Sequence, residues 1–88
     1  MDINIEQLKK KIIYRSNYRG TKEMDKLLGM FTKKYVNNLS FEDLRDLEKL
    51  LNIDDANLYN FFNGISTNLV FEENNINKLF REFKYNDD

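Results

Sequence analysis

Apolar residues recur along this chain at three- and four-residue spacing, in blocks divided by short polar breaks. Ile5, Leu8 and Ile12, with Ile13 beside them, mark one face of a first helix expected from about Asn4 to Arg15. Asn4 or Asp2 can cap it, and Lys9, Lys10 and Lys11 fall mainly on the other side. Ser16-Asn17-Tyr18 reads as a break. Met24, Leu27, Leu28, Phe31 and Tyr35 form a wider stripe on a second helix, expected from Gly20 or Thr21 to about Asn37. Gly29 sits inside that helix at a cost of about 1 kcal/mol relative to alanine. It is read as the place where a neighbouring helix approaches.

Asn37-Asn38-Leu39-Ser40 is a turn, and Ser40 followed by Asp43 resembles the start of a capping box. The third helix is expected over Phe41 to Leu51, burying Leu44, Leu47, Leu50 and Leu51. Asp54 can cap a short fourth helix, and Asp55 in its first turn suits the helix dipole. That helix ends at Phe62-Asn63-Gly64, where glycine can adopt the left-handed conformation. Leu58 and Phe62 belong to its core face, and one of Tyr59 and Phe61 faces outward. Residues 65–71 read as a loop or a short extended stretch. A fifth helix is expected from Glu73 or Asn74 to Tyr85, burying Ile76, Leu79, Phe80 and Phe83, with residues 86–88 frayed. Period-two alternation is scarce, and valine occurs only at Val36 and Val70. The pattern predicts an all-α fold: a compact five-helix bundle forming a single domain over residues 1–88.

Composition narrows what such a bundle can do. A chain of 88 residues buries only roughly 60–65% of its unfolded surface, too little for a deep, water-free active site. Cysteine is absent, which excludes disulfides, thiolate nucleophiles and cysteine-bound zinc. Histidine is absent too, removing the commonest general base and metal ligand. An enzyme is not expected, and no catalytic or metal-binding residue is assigned. The acids Glu42, Asp43, Asp46, Glu48, Asp54 and Asp55 lie at helix starts or on polar faces without a calcium-loop pattern, and read as caps and solvated charges.

The net charge is −1, but residues 1–35 carry nine Lys/Arg against four acids (+5), and residues 36–88 carry five against eleven (−6). This split predicts a bipolar surface able to orient a charged partner. The basic half, with Tyr14 and Tyr18 interspersed, invites a reading as a small nucleic-acid-binding or regulatory module. Against it, Glu23 and Asp25 at the start of the second helix would repel phosphates, so no nucleic-acid partner is expected. No apolar run approaches the ~20 residues that span a bilayer. Met1-Asp2-Ile3-Asn4 lacks the features of a secretory signal. A cytoplasmic protein without membrane insertion is expected, monomeric when free.

Chemistry concentrates at Arg19-Gly20-Thr21-Lys22-Glu23, between the first two apolar faces. One reading makes Arg19–Glu23 a local, exposed pair worth about 0–1 kcal/mol. The other makes Arg19 a forked donor to a partner's carboxylate or phosphate, with Gly20 letting another backbone come close.

Arg15-Ser16, Arg19-Gly20-Thr21-Lys22-Glu23-Met24-Asp25, Leu27-Leu28-Gly29 and Phe31 together resemble the succinate dehydrogenase flavinylation factors, or FAD assembly factors, of bacteria and mitochondria. A second block, Leu50-Leu51 and Asp54-Asp55-Ala56-Asn57-Leu58-Tyr59-Asn60-Phe61-Phe62, is similar in order and spacing. Ala56 stands where the family often has proline, and Phe61 where tryptophan is common. The resemblance covers roughly residues 5–85 and is loose beyond Gly64. It implies a bacterial, cytoplasmic assembly factor that binds the flavoprotein subunit of succinate dehydrogenase, and of fumarate reductase in some organisms. Such a factor promotes covalent attachment of FAD to a histidine of that subunit. FAD would belong to the partner, and no cofactor would be held stably by this chain. The family's Arg-Gly-x-x-Glu motif falls on Arg19, Gly20 and Glu23, with Asp25 beside it. Arg15 and Tyr59 lie in matching blocks and complete the implied partner-binding set.

Overall fold

Nearly every break in the apolar pattern carries a helix cap. The computed structural model describes residues 4–84, with five α-helices and no strand among them. They are α1 (Ile5–Asn17), α2 (Lys22–Tyr35), α3 (Phe41–Leu51), α4 (Asp55–Phe62) and α5 (Asn75–Glu82). Asn4, Thr21, Ser40, Asp54 and Asn74 cap them in turn, each side-chain oxygen accepting from a first-turn N–H. Each such cap is worth about 1 kcal/mol, which matters for helices as short as α4 and α5. At the other end of α4, Gly64 (φ 74°) takes the left-handed conformation. The Gly64 amide donates to the Phe61 carbonyl, and the Ile65 amide to that of Asn60. This closes the helix in a Schellman arrangement.

The all-α fold is as expected, and α3 matches its expected bounds. Three helix ends differ, that of the fifth among them. The second helix ends at Tyr35 and passes into a single 3-10 turn, Val36–Asn38. The first runs through Ser16 and Asn17, the supposed break. Ser16 is fully buried, and its hydroxyl donates to the Ile12 carbonyl (2.7 Å) while sharing a hydrogen bond with Thr32 of α2 (2.6 Å). A serine satisfied in this way continues a helix that its propensity would stop. The buried stripe of α1 is therefore Leu8, Ile12 and Ser16, whereas Ile5 and Ile13 are 43% and 40% exposed. The expected core role of Ile5 and Ile13 is thus corrected.

The core joins Leu8 and Ile12 to Met24, Leu27, Leu28 and Phe31 of α2, the four leucines of α3, Leu58 of α4, and Ile76 and Phe80 of α5. α1 packs on α2 and α3, and α5 on α3 and α4. Phe31 meets Phe80 and Phe83 edge-on, each at 5.3 Å. Tyr35, Phe62 and Leu79 are only half-buried against this cluster. At Gly29 a Cβ would lie 2.5 Å from the Asn17 side chain, so the glycine does admit the end of α1. Residues 65–71 form neither helix nor strand, and Phe71 stacks on Phe61 at 3.9 Å. The fifth helix ends at Glu82, short of the expected Tyr85, because Phe83 turns extended (φ −67°, ψ 133°) and packs its ring into the core against Phe31. Asp2 as a cap and the fraying of 86–88 lie outside the described residues.

Part of the charge split holds the fold together. Lys11 of α1 pairs with Glu48 of α3 at 2.8 Å, and this bond holds the Glu48 carboxyl below the ordinary carboxylate range. A lowered folded-state value means that the unfolded chain binds the proton more readily. The stabilisation is present above about pH 4.5 and is lost as the pH falls further. With Lys11 half-exposed, it should stay below about 1 kcal/mol. Lys11→Met is expected to flatten the dependence of unfolding free energy on pH between pH 3 and 5, as read by urea titration.

Candidate functional site

Four residues, Tyr18 to Thr21, turn the chain from α1 into α2. Gly20 has φ 122°, a conformation that side-chain-bearing residues rarely adopt, and nothing lies within 4 Å of where its Cβ would be. The junction therefore needs glycine for its backbone and presents that backbone to open space. Thr21 then caps α2 by accepting from the Met24 amide.

The turn is braced from within. The Asp25 carboxylate folds back to accept the Arg19 amide, and the Gly20 amide at 3.3 Å. The Arg19 side chain, only 10% exposed, crosses to the α3–α4 turn. Its Nε donates to Asp55 Oδ1 (2.7 Å), Nη1 to the Leu51 carbonyl (2.6 Å) and Nη2 to the Ile53 carbonyl (2.5 Å). One planar fork thus ties together the end of α3, the turn and the start of α4, a geometry that lysine cannot reproduce. Arg15, one turn earlier on α1, donates to Asn52 Oδ1 in the same turn. Asp54 and Asp55 divide the work there: Asp54 caps α4, and Asp55 receives Arg19. Hydrogen bonds from Asn57 hold the Asp54 carboxyl below its usual value.

The expected site residues separate into two groups. Arg15, Arg19 and Asp25 face inward and hold the junction. Gly20, Glu23 and Tyr59 are exposed. Two expectations for Arg19 need correction: its guanidinium meets Asp55 rather than Glu23, and all three of its nitrogens already have acceptors inside the chain. Glu23 instead occupies the first turn of α2, where a carboxylate complements the helix dipole. Tyr59 follows Asp55 by one turn, so it stands on the α4 face that receives Arg19. Both sequence blocks thus meet at one corner, joined by the Arg19–Asp55 pair.

Asp55, Asn52 and the carbonyls of Leu51 and Ile53 complete this corner beyond the sequence-predicted set. The sequence places Asp55 in the second block and suits it to the helix dipole but does not give it a partner, and backbone acceptors have no sequence signature. The one available signal was an unpaired arginine in one block and a spare carboxylate in the other. Two of the other acids are occupied elsewhere: Asp46 lies 4.0 Å from Lys49, and Asp43 accepts from Asn75. Among the described residues, no group of three or more acids, histidines or cysteines could hold a metal ion.

A family model described as flavinator of succinate dehydrogenase matches residues 10–84 of this chain. The mitochondrial succinate dehydrogenase assembly factor 2 of Dictyostelium discoideum is 40% identical over 57 residues, covering 65% of this chain and 40% of the relative. That of Kluyveromyces lactis is 33% identical over 89 aligned positions, covering 97% and 55%. The FAD assembly factor SdhE of Acetobacter pasteurianus is 31% identical over 61 residues, covering 69% and 56%. These relatives bear the names of assembly factors rather than of enzymes. The chain spans about two-fifths to just over half of their length. No solved structure matches it. With most of its length matched, including both blocks that build the corner, the chain belongs to the flavinator of succinate dehydrogenase family.

Proposed function

We propose that this chain is an assembly factor that binds the flavoprotein subunit of succinate dehydrogenase and promotes covalent attachment of FAD to it. The flavoprotein of fumarate reductase is a related client to be tested alongside. The observation that carries the reading is the exposed Gly20 backbone, locked from behind by Arg19 and Asp25, in a chain of this family. A rigid, side-chain-free surface lets a partner's backbone approach without an ordering cost at the junction. Gly20, Glu23 and Tyr59 would meet the partner, while Arg15, Arg19 and Asp25 keep that surface in shape.

The chain has no histidine or cysteine, so a histidine that receives the flavin would be the partner's. The factor would act by favouring the flavoprotein conformation in which histidine and flavin are aligned, a shift of population rather than a chemical step. It would hold no cofactor stably and would act as a cytoplasmic monomer. No helix among the described residues is long and apolar enough to cross a membrane.

Co-expression with the flavoprotein subunit, scored by in-gel fluorescence of covalent flavin, tests this reading. Gly20→Ala strains the backbone by about 1–3 kcal/mol without a clash and is expected to retain part of the flavinylation. Gly20→Arg adds bulk to the same strain and is expected to abolish it while the chain stays folded. Undiminished flavinylation and complex formation by both Gly20→Arg and Glu23→Ala would refute the assigned interface.

A further inference from the structure

Core packing and the Gly20 junction leave one face of α1 unused. Tyr14 and Tyr18 are 63% and 69% exposed, and their rings lie 4.7 Å apart, so each supports the other in solvent. With Lys10, Ile13 and Asn17 they line a depression of about 510 Å³. A second depression, of about 220 Å³, shares Ile13 and Asn17 and continues across Gly29 to Lys33 of α2. The result is one groove: an apolar floor at Ile13, an aromatic wall, and a lysine on either side. No carboxylate lines it among the described residues. Elsewhere on α1 the lysines are matched, Lys9 with Glu6 and Lys11 with Glu48, whereas Lys10 and Lys33 have no carboxylate within ion-pair distance among the described residues. Tyr18 directly precedes Arg19 and Gly20, so the groove runs into the junction.

We propose that this groove binds an acidic segment of the flavoprotein partner, seating an aliphatic or aromatic side chain over Ile13 and against the tyrosines, with carboxylates facing Lys10 and Lys33. The assignment rests on the proposed function and adds a second contact surface to it. Charge decides the occupant: a second copy docked by two-fold symmetry would bring lysines toward lysines without a carboxylate to receive them. Exposed tyrosine anchors are suited to such contacts, because they bring large area at low conformational cost.

The test is calorimetric titration of the full chain with the flavoprotein subunit at low and high NaCl. Circular dichroism controls for folding, which these exposed positions should leave intact. K10E/K33E is expected to weaken binding roughly tenfold or more and to flatten its salt dependence. Y14S/Y18S is expected to weaken binding roughly tenfold with the salt dependence retained. K78E/K84E, with the same change in net charge on another part of the surface, should bind as the parent does. If both groove variants bind within about twofold of the parent while Gly20→Arg abolishes binding, the groove assignment fails and the proposed function stands. If the parent does not bind at all, the functional reading falls and takes the groove with it. Salt-dependent binding of a roughly 20-nucleotide oligouridylate that K10E/K33E abolishes would assign the groove to nucleic acid and overturn the proposal. A dimer of the free chain that Y14S/Y18S dissolves would overturn it equally.

Discussion

Arg19→Ala is expected to lower the unfolding free energy by about 3 kcal/mol and to abolish flavinylation with it. The size follows from what is left behind. Asp55 would lose its cation, and the Leu51 and Ile53 carbonyls would lose donors 2.5–2.6 Å away at a nearly buried site. A broken, largely desolvated pair costs more than an exposed one, because the orphaned groups recover only part of their hydration. Arg19→Lys should recover little, since a single ammonium cannot serve three acceptors arranged around a planar fork. Asp55→Asn should cost less, about 1 kcal/mol, because both carbonyls keep their donors. Urea titration of the three variants checks this ranking. A direct partner contact predicts something different: unchanged stability and weakened binding. Arg19→Ala with parental stability would therefore overturn the bracing role.

Phe80→Ala is expected to destabilise the chain by about 3–5 kcal/mol. Phe80 is fully buried, edge-on to Phe31 at 5.3 Å and tilted against Phe62 at 5.3 Å. α5 spans only eight residues, too few to persist without packing. Deleting the ring leaves a cavity and releases the helix that closes the bundle over α3 and α4. A domain of this size holds only about 5–10 kcal/mol in total, so the variant should be substantially unfolded at 37 °C. Loss of cooperativity in thermal melts by circular dichroism, with hydrogen exchange protection falling first in α5, is the expected result. Retention of parental protection in α5 would show that the aromatic cluster is not what holds it.

These two predictions differ in how much of their basis is visible along the chain. Phe80 belongs to a helical stripe, and its burial follows from spacing alone. Leu44, Leu47, Leu50 and Leu51 are legible in the same way, as are the caps Ser40 and Asp54 and the left-handed Gly64, because each depends on neighbours within one or two turns. Arg19 does not. Its three acceptors lie more than thirty positions away, and two are backbone carbonyls that any residue type would supply. Ser16 misled for a related reason: its small polar side chain signals a break unless a partner such as Thr32 is brought to it across the helix pair. Ile5 and Ile13 match the stripe spacing yet remain exposed, because the packing of α2 and α3 selects which part of α1 is covered.

Order, type and approximate bounds of the five helices, the leucine core and the glycine-centred junction were thus set by local rules: periodicity, capping and backbone preference. Family resemblance was also legible, because both motif blocks are contiguous in the chain. Tertiary structure alone decided which charged residues act inside and which are left exposed to solvent. It turned Arg19 from an expected contact into the brace behind Gly20, paired Lys11 with Glu48, and left Tyr14 and Tyr18 beside Lys10 in an open groove. A side chain's partner is chosen by distances between elements, and a one-dimensional pattern does not contain those distances.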